Sequence, residues 1–177
     1  AKVAGARGDS ERQVELLQRL ANLGADQAET RADARFRMAE VLLADAEAID
    51  EGITNLNAAL EDDPRWGRAA LILGRACDQH GDNDALLDFY ERVARRSDDA
   101  KILLHCLERR AKQSEASLER VREAVELAGK LGQFERAEEL MLRAVELSKN
   151  LIDGASQVDW ALLALAQRRR AANDLAG

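Results

Sequence analysis

Proline occurs once in the 177 residues, at Pro64. A chain this poor in proline has almost nothing to interrupt a helix. Aromatic residues make up only 3% of the chain although 46% is hydrophobic, so alanine and leucine carry most of the apolar fraction. Small residues of this kind suit closely packed helices. Strands are excluded on the opposite ground, since no run alternates β-branched or aromatic residues with polar ones. Two cysteines, Cys77 and Cys106, cannot build a disulfide framework. Their helical neighbourhoods fit a reducing compartment, and a cytoplasmic location is expected, with the periplasm as the alternative. The longest apolar runs, such as Ala161-Leu162-Leu163-Ala164-Leu165-Ala166, fall far short of the roughly 20 residues of a membrane helix. The first residues do not read as a basic-then-apolar leader. Basic charge is also in deficit: 26 Lys and Arg face 33 Asp and Glu, for a net charge of −7. That balance argues against a general nucleic-acid binder, which needs a basic face for the phosphates.

What the chain does contain is apolar residues at helical spacing, again and again. Residues 1–8 read as frayed. Asp9-Ser10 then offers a cap ahead of Val14, Leu16, Leu17, Leu20 and Leu23, with Gly24 as the stop. Helices are expected at about 30–45, 48–62, 66–80, 84–96, 99–112, 115–131, 134–149 and 157–172. Asp62-Asp63-Pro64 ends the second of these, because the residue before proline is pushed out of the helical region. Asp82-Asn83-Asp84, Ser97-Asp98-Asp99 and Ser114 read as caps, Gly81 and Gly132 as stops, and Gly154–Ser156 as a break. With the N-terminal helix this makes about nine, joined by short loops that favour antiparallel neighbours.

One helical pattern returns at a fixed interval. The stretch Trp66-Gly67-Arg68-Ala69 to Ala76-Cys77 aligns with Phe134-Glu135-Arg136-Ala137 to Ala144-Val145, at an offset of 68 residues. An aromatic, two Arg-Ala pairs and the apolar positions between them recur in step. Half of that offset is close to the period of stacked two-helix units. The same offset relates Gly52, Leu56 and Ala59 to Val121, Val125 and Ala128 to within a residue.

These residues resemble the tetratricopeptide repeat family. From Asp33 the likeness rests on Phe36 and Ala39 in a first helix and on Gly52, Leu56, Ala59 and Pro64 in and after a second, with Glu40 where that family has glycine. From Gly67 it rests on Leu73-Gly74, Gly81, Tyr90 and Val93, and further on Gly132, Phe134, Ala137, Met141 and Ala144. The last group makes 134–149 a second helix, whereas the 68-residue offset makes it a first helix. We follow the offset. The resemblance implies an all-α, right-handed solenoid of about four helix-turn-helix repeats. It would form a single domain over 1–177: tail and extra helix 1–28, then repeats 29–64, 65–97, 98–132 and 133–177. The chain lacks an initiator Met and a polar capping helix, so a fragment of a longer protein is expected, or else a processed chain.

The family further implies a concave face of first helices that holds a partner peptide or protein segment. In this chain the corresponding positions are Arg37, Val41, Arg68, Leu71, Arg75, Leu103, Leu107, Arg110, Arg136 and Arg143. Arginines interspersed with aliphatics suit an acidic segment or a terminal carboxylate through bidentate hydrogen bonds. The plain alternative is a solvated face whose arginines pair with nearby acids. Cys77, His80, His105 and Cys106 are the only metal-like set. Neighbours such as His105 and Cys106 diverge by about 100° on a helix, so no metal is expected. No nucleophile–base–orienter set and no phosphate-cradling loop stands out, so neither catalysis nor a cofactor is expected. Arg168-Arg169-Arg170 reads as a solvated face. The function expected is a non-catalytic interaction scaffold, bacterial on its Ala/Arg-rich, Lys-poor composition, without nucleic-acid or membrane partners. The alternatives are a structural spacer, a self-associating segment, which would form a homodimer, or an accessory domain of a multidomain enzyme.

Overall fold

A computed structural model describes residues 2–22, 27–81, 83–113, 116–151 and 153–174. Among the described residues the chain is helical, without strands. The helices are α1 Lys2–Ala21, α2 Ala28–Leu42, α3 Ile49–Asp62, α4 Trp66–His80, α5 Asp84–Arg96, α6 Ala100–Lys112, α7 Leu118–Lys130, α8 Phe134–Ser148, α9 Gly154–Gln157 and α10 Asp159–Asp174. Two compact units result, Ala1–Ile102 and Leu103–Gly177. None of these helices is long and apolar enough to cross a membrane.

Helix ends follow their caps. The Asn83 side chain accepts the Leu86 N–H at 3.1 Å and starts α5. Asp99 accepts from Lys101 and Ile102 at 2.9 and 3.3 Å and starts α6. Asp63, before Pro64, is extended and ends α3. Gly132, at φ 70°, closes α7: the Gln133 N–H reaches the Ala128 carbonyl at 2.9 Å, and that of Gly132 reaches Gly129 at 3.1 Å. This is the left-handed termination that glycine favours.

Three expected boundaries are corrected. Helix α1 begins at Lys2 and runs through Asp9-Ser10, even though Gly5 and Gly8 are poor helix formers. Helix α2 stops at Leu42, and a short 3₁₀ turn, Ala46–Ala48, follows, with Asp45 accepting the Glu47 N–H at 3.0 Å. Gly154–Ser156 is not a break but most of the short helix α9. Gly24, Asp82 and Ser114 lie outside the described residues.

In unit 1, α2 packs on α3 and α4 on α5, while α3 also touches both α4 and α5. Ala32, Phe36, Ala39, Leu56, Ala59, Ala69 and Leu73 are buried here. Helix α1 lies against α2 through Leu17, Ala21, Ala34, Met38 and Leu42. In unit 2 the main hairpin is α7–α8, and α10 packs on α8. Its core joins Leu104, Leu107 and Ala111 to Val121, Leu140, Met141 and Leu165. Helices α4 and α8 have the same length, 15 residues, and begin and end 68 residues apart. Ala69, Ile72, Leu73 and Ala76 are buried in one, and Ala137, Leu140, Met141 and Ala144 at the same steps in the other.

Helices α2 and α3 meet at Gly52. A Cβ built there would stand 2.6 Å from Cγ of Leu43, which is itself buried. Alanine is ordinarily the better helix former by about 1 kcal/mol. Here the clash should reverse the sign: Gly52→Ala is expected to destabilise by about 1–3 kcal/mol, read as a lower urea midpoint at unchanged slope.

Candidate partner-binding surface

The positions expected to form the binding face fall into two groups. In unit 1, Asp33, Arg37 and Glu40 lie on α2 and face Arg68 and Arg75 on the neighbouring helix α4. Arg68 pairs with Asp33 and stands 4.7 Å from the Phe36 ring centroid. Arg65 reaches the same carboxylate at 3.5 Å, and Arg37 reaches it at 3.3 Å from within α2. Arg75 approaches Glu40 at 3.9 Å but stays 74% exposed. Leu71, one turn from each of Arg68 and Arg75, is 55% exposed. Val41 is half-buried at the other edge of α2, toward α1.

In unit 2 the picture differs. Leu107 is fully buried and Leu103 packs half-buried against the same core. Arg110 is also buried, with its guanidinium donating to Gln113 at 3.2 Å. These residues serve the interior. Arg136 on α8 pairs with Glu108 on α6 at 3.1 Å and donates to Gln133 at 2.7 Å. Arg143 donates to the carbonyls of Ala111 and Gln113 at 2.9 and 3.1 Å, satisfying the end of α6, and pairs with Glu146 at 2.7 Å. A cleft of about 280 Å³ between α6 and α8 includes Glu108, Lys112, Arg136 and Arg143 in its walls.

The arginines that recur in sequence therefore recur in role. Arg68 and Arg75 reach from α4 back to α2; Arg136 and Arg143 reach from α8 back to α6. Arg168 repeats the move from α10 to α8, donating to the Phe134 carbonyl and pairing with Glu138 at 3.6 Å. It is thus a joint and not simply a solvated residue. Arg170 is exposed. The sequence reading missed the acids that receive these arginines, and it missed Asp62, which takes Arg31 through two hydrogen bonds and Arg35 at 2.6 Å. The signal was present as an acid followed by an arginine about one repeat later.

The electrostatics agree with this geometry. The Arg68 hydrogen bond holds the Asp33 carboxyl below its usual range, and the Arg31 hydrogen bond does the same for Asp62. Glu108 goes the other way: burial raises it, and Arg136 offsets only part of that effect. Cys77 and Cys106 are buried free thiols, and the His80 ring nitrogen meets the Leu43 carbonyl at 2.8 Å. Among the described residues no group of three His, Cys, Asp or Glu is arranged to hold a metal ion.

A pH titration of stability follows from these shifts. Depressed carboxylates stabilise the fold fully above the ordinary value of about 3.9 and lose that contribution as pH falls through their folded values. Urea midpoints of the wild type should drop below about pH 4, and Asp33→Asn should flatten that drop. Glu108 has the opposite sign, with its contribution lost as pH rises through its raised value. Glu108→Gln should therefore gain midpoint relative to wild type between about pH 4 and neutrality. An unchanged profile in both variants would contradict the assignments.

No protein-family model, curated protein or solved structure matches this chain.

Proposed function

We propose that this chain is a non-catalytic interaction scaffold built as a tetratricopeptide-like solenoid, and that it takes an acidic segment of a partner protein. Stacked hairpins in unit 1 and the matched helices α4 and α8 support the repeat reading. The observation that carries the binding reading is the exposed stripe of unit 1. Arg37 and Arg75 are 63% and 74% exposed, and Leu71 is an aliphatic contact beside them. Guanidinium groups with remaining donors can take carboxylates, and an exposed leucine adds a small apolar anchor. Arg68, Arg136 and Arg143 are excluded from the proposed contact set because their donors are used inside the fold. Leu107 and Arg110 are excluded because they are buried.

Binding of fluorescent acidic-aliphatic peptides tests the proposal. Wild-type protein should bind in the range of about 1–100 μM, and Arg37→Glu/Arg75→Glu should weaken binding at least about tenfold. Leaving Arg68 in place preserves its bond to Asp33. Equal binding by both proteins, with unchanged circular dichroism, would remove this stripe as the site.

A further inference from the structure

A second surface lies at the other end of the α1–α2 pair and has the opposite charge. The middle of α1, Glu11 to Glu15, and the segment from the end of α2 to the first turn of α3 enclose a cleft of about 520 Å³. That volume falls within the roughly 300–1,000 Å³ typical of ligand clefts. Its apolar lining includes Val14, Val41 and Leu42. Glu11 and Glu15 stand along one wall and Glu51 on the other, and among the described residues no basic side chain lines it. Asp45, also in the wall, caps the 3₁₀ turn. The carboxylates of Glu11, Glu15 and Glu51 enter no ion pair or hydrogen bond with the described residues.

The contrast with the cleft at the opposite end of the same helices is informative. There Glu29 and Asp33 are matched by Arg37 and Arg65 within the fold. In the acidic cleft no described side chain plays that part. An apolar strip between carboxylate walls matches one shape of partner: a helix with leucine-type residues down one stripe and lysine or arginine beside them. A small cation would answer the carboxylates but leave the half-buried Val14 and Val41 wet. An acidic or neutral helix would answer only the latter.

From this charge and shape match we infer that the cleft formed by Glu11, Val14, Glu15, Val41 and Glu51 docks a basic amphipathic helix of a partner protein. This site is independent of the arginine stripe and would coexist with it, since the two take segments of opposite charge.

The probe is a labelled Leu/Lys amphipathic peptide of about 16 residues, long enough to form a helix on binding, read by fluorescence anisotropy on the full chain. Binding is expected, and it should weaken as salt rises from about 50 to about 300 mM, because the carboxylates are exposed. Glu15→Lys/Glu51→Lys should cost at least about tenfold in Kd, whereas Glu119→Lys/Glu135→Lys, with the same change in net charge, should stay within about twofold. A scrambled peptide of equal composition should bind at least about tenfold more weakly than the amphipathic one. The milder Glu11→Gln/Glu15→Gln variant repeats the measurement if the charge reversal perturbs folding. The inference is overturned if the wild type fails to bind, if the two reversal variants lose affinity equally, or if the scrambled peptide binds as tightly. None of these outcomes bears on the acidic peptides that test the arginine stripe.

Discussion

Helix α2 buries apolar residues on two sides, Phe36 and Ala39 on one and Ala34, Met38 and Leu42 on the other, more than a single hairpin can cover. Everything else follows from that constraint. Alanine at Ala32, Ala39, Ala59, Ala69 and Ala76 lets backbones come close, and Gly52 lets α3 come closer still. Within unit 1, α3 packs on α4 and α5 as well as on α2, so surface that one hairpin leaves is met by the next.

Charge is used in step with the stacking. An arginine on each of α4, α8 and α10 reaches to the helix two before it and finds an acid or a carbonyl there. Half-exposed pairs of this kind contribute little energy apiece. Their value is geometric, because a forked guanidinium fixes how one helix sits along another. Arginine is suited to this role in a way lysine is not, which gives the arginine-rich composition a structural reason. Arg37 and Arg75 pair with acids as well, yet they stay largely exposed on unit 1.

Much of the helix layout was legible because it is written in local chemistry. Pro64, Gly81, Asn83, Asp99 and Gly132 act through their immediate neighbours, and α4 and α5 have the boundaries that spacing and capping suggest. The start of α1 was not legible because Gly5, Gly8 and the Asp9-Ser10 cap all point to a later start, and the turn at Gly154 because its close approach to the Ser148 backbone is not written in local sequence. The binding face was less legible. Helical spacing says that Arg68, Arg136 and Arg143 share a face. It does not say that Asp33, Glu108 and the carbonyl end of α6 already occupy them. Leu107 could not be told from a surface residue, because its burial depends on α7 and α8, which lie further along the chain.

That the repeated arginines join neighbouring helices is the claim on which both the architecture and the choice of binding residues rest. A double-mutant cycle between Asp33 and Arg68, using Asp33→Asn and Arg68→Gln in urea unfolding, measures it most directly. A favourable coupling of about 0.5–1 kcal/mol is expected, shrinking as salt is raised. Strictly additive effects of the two substitutions would contradict it and return Arg68 to the set of residues available to a partner.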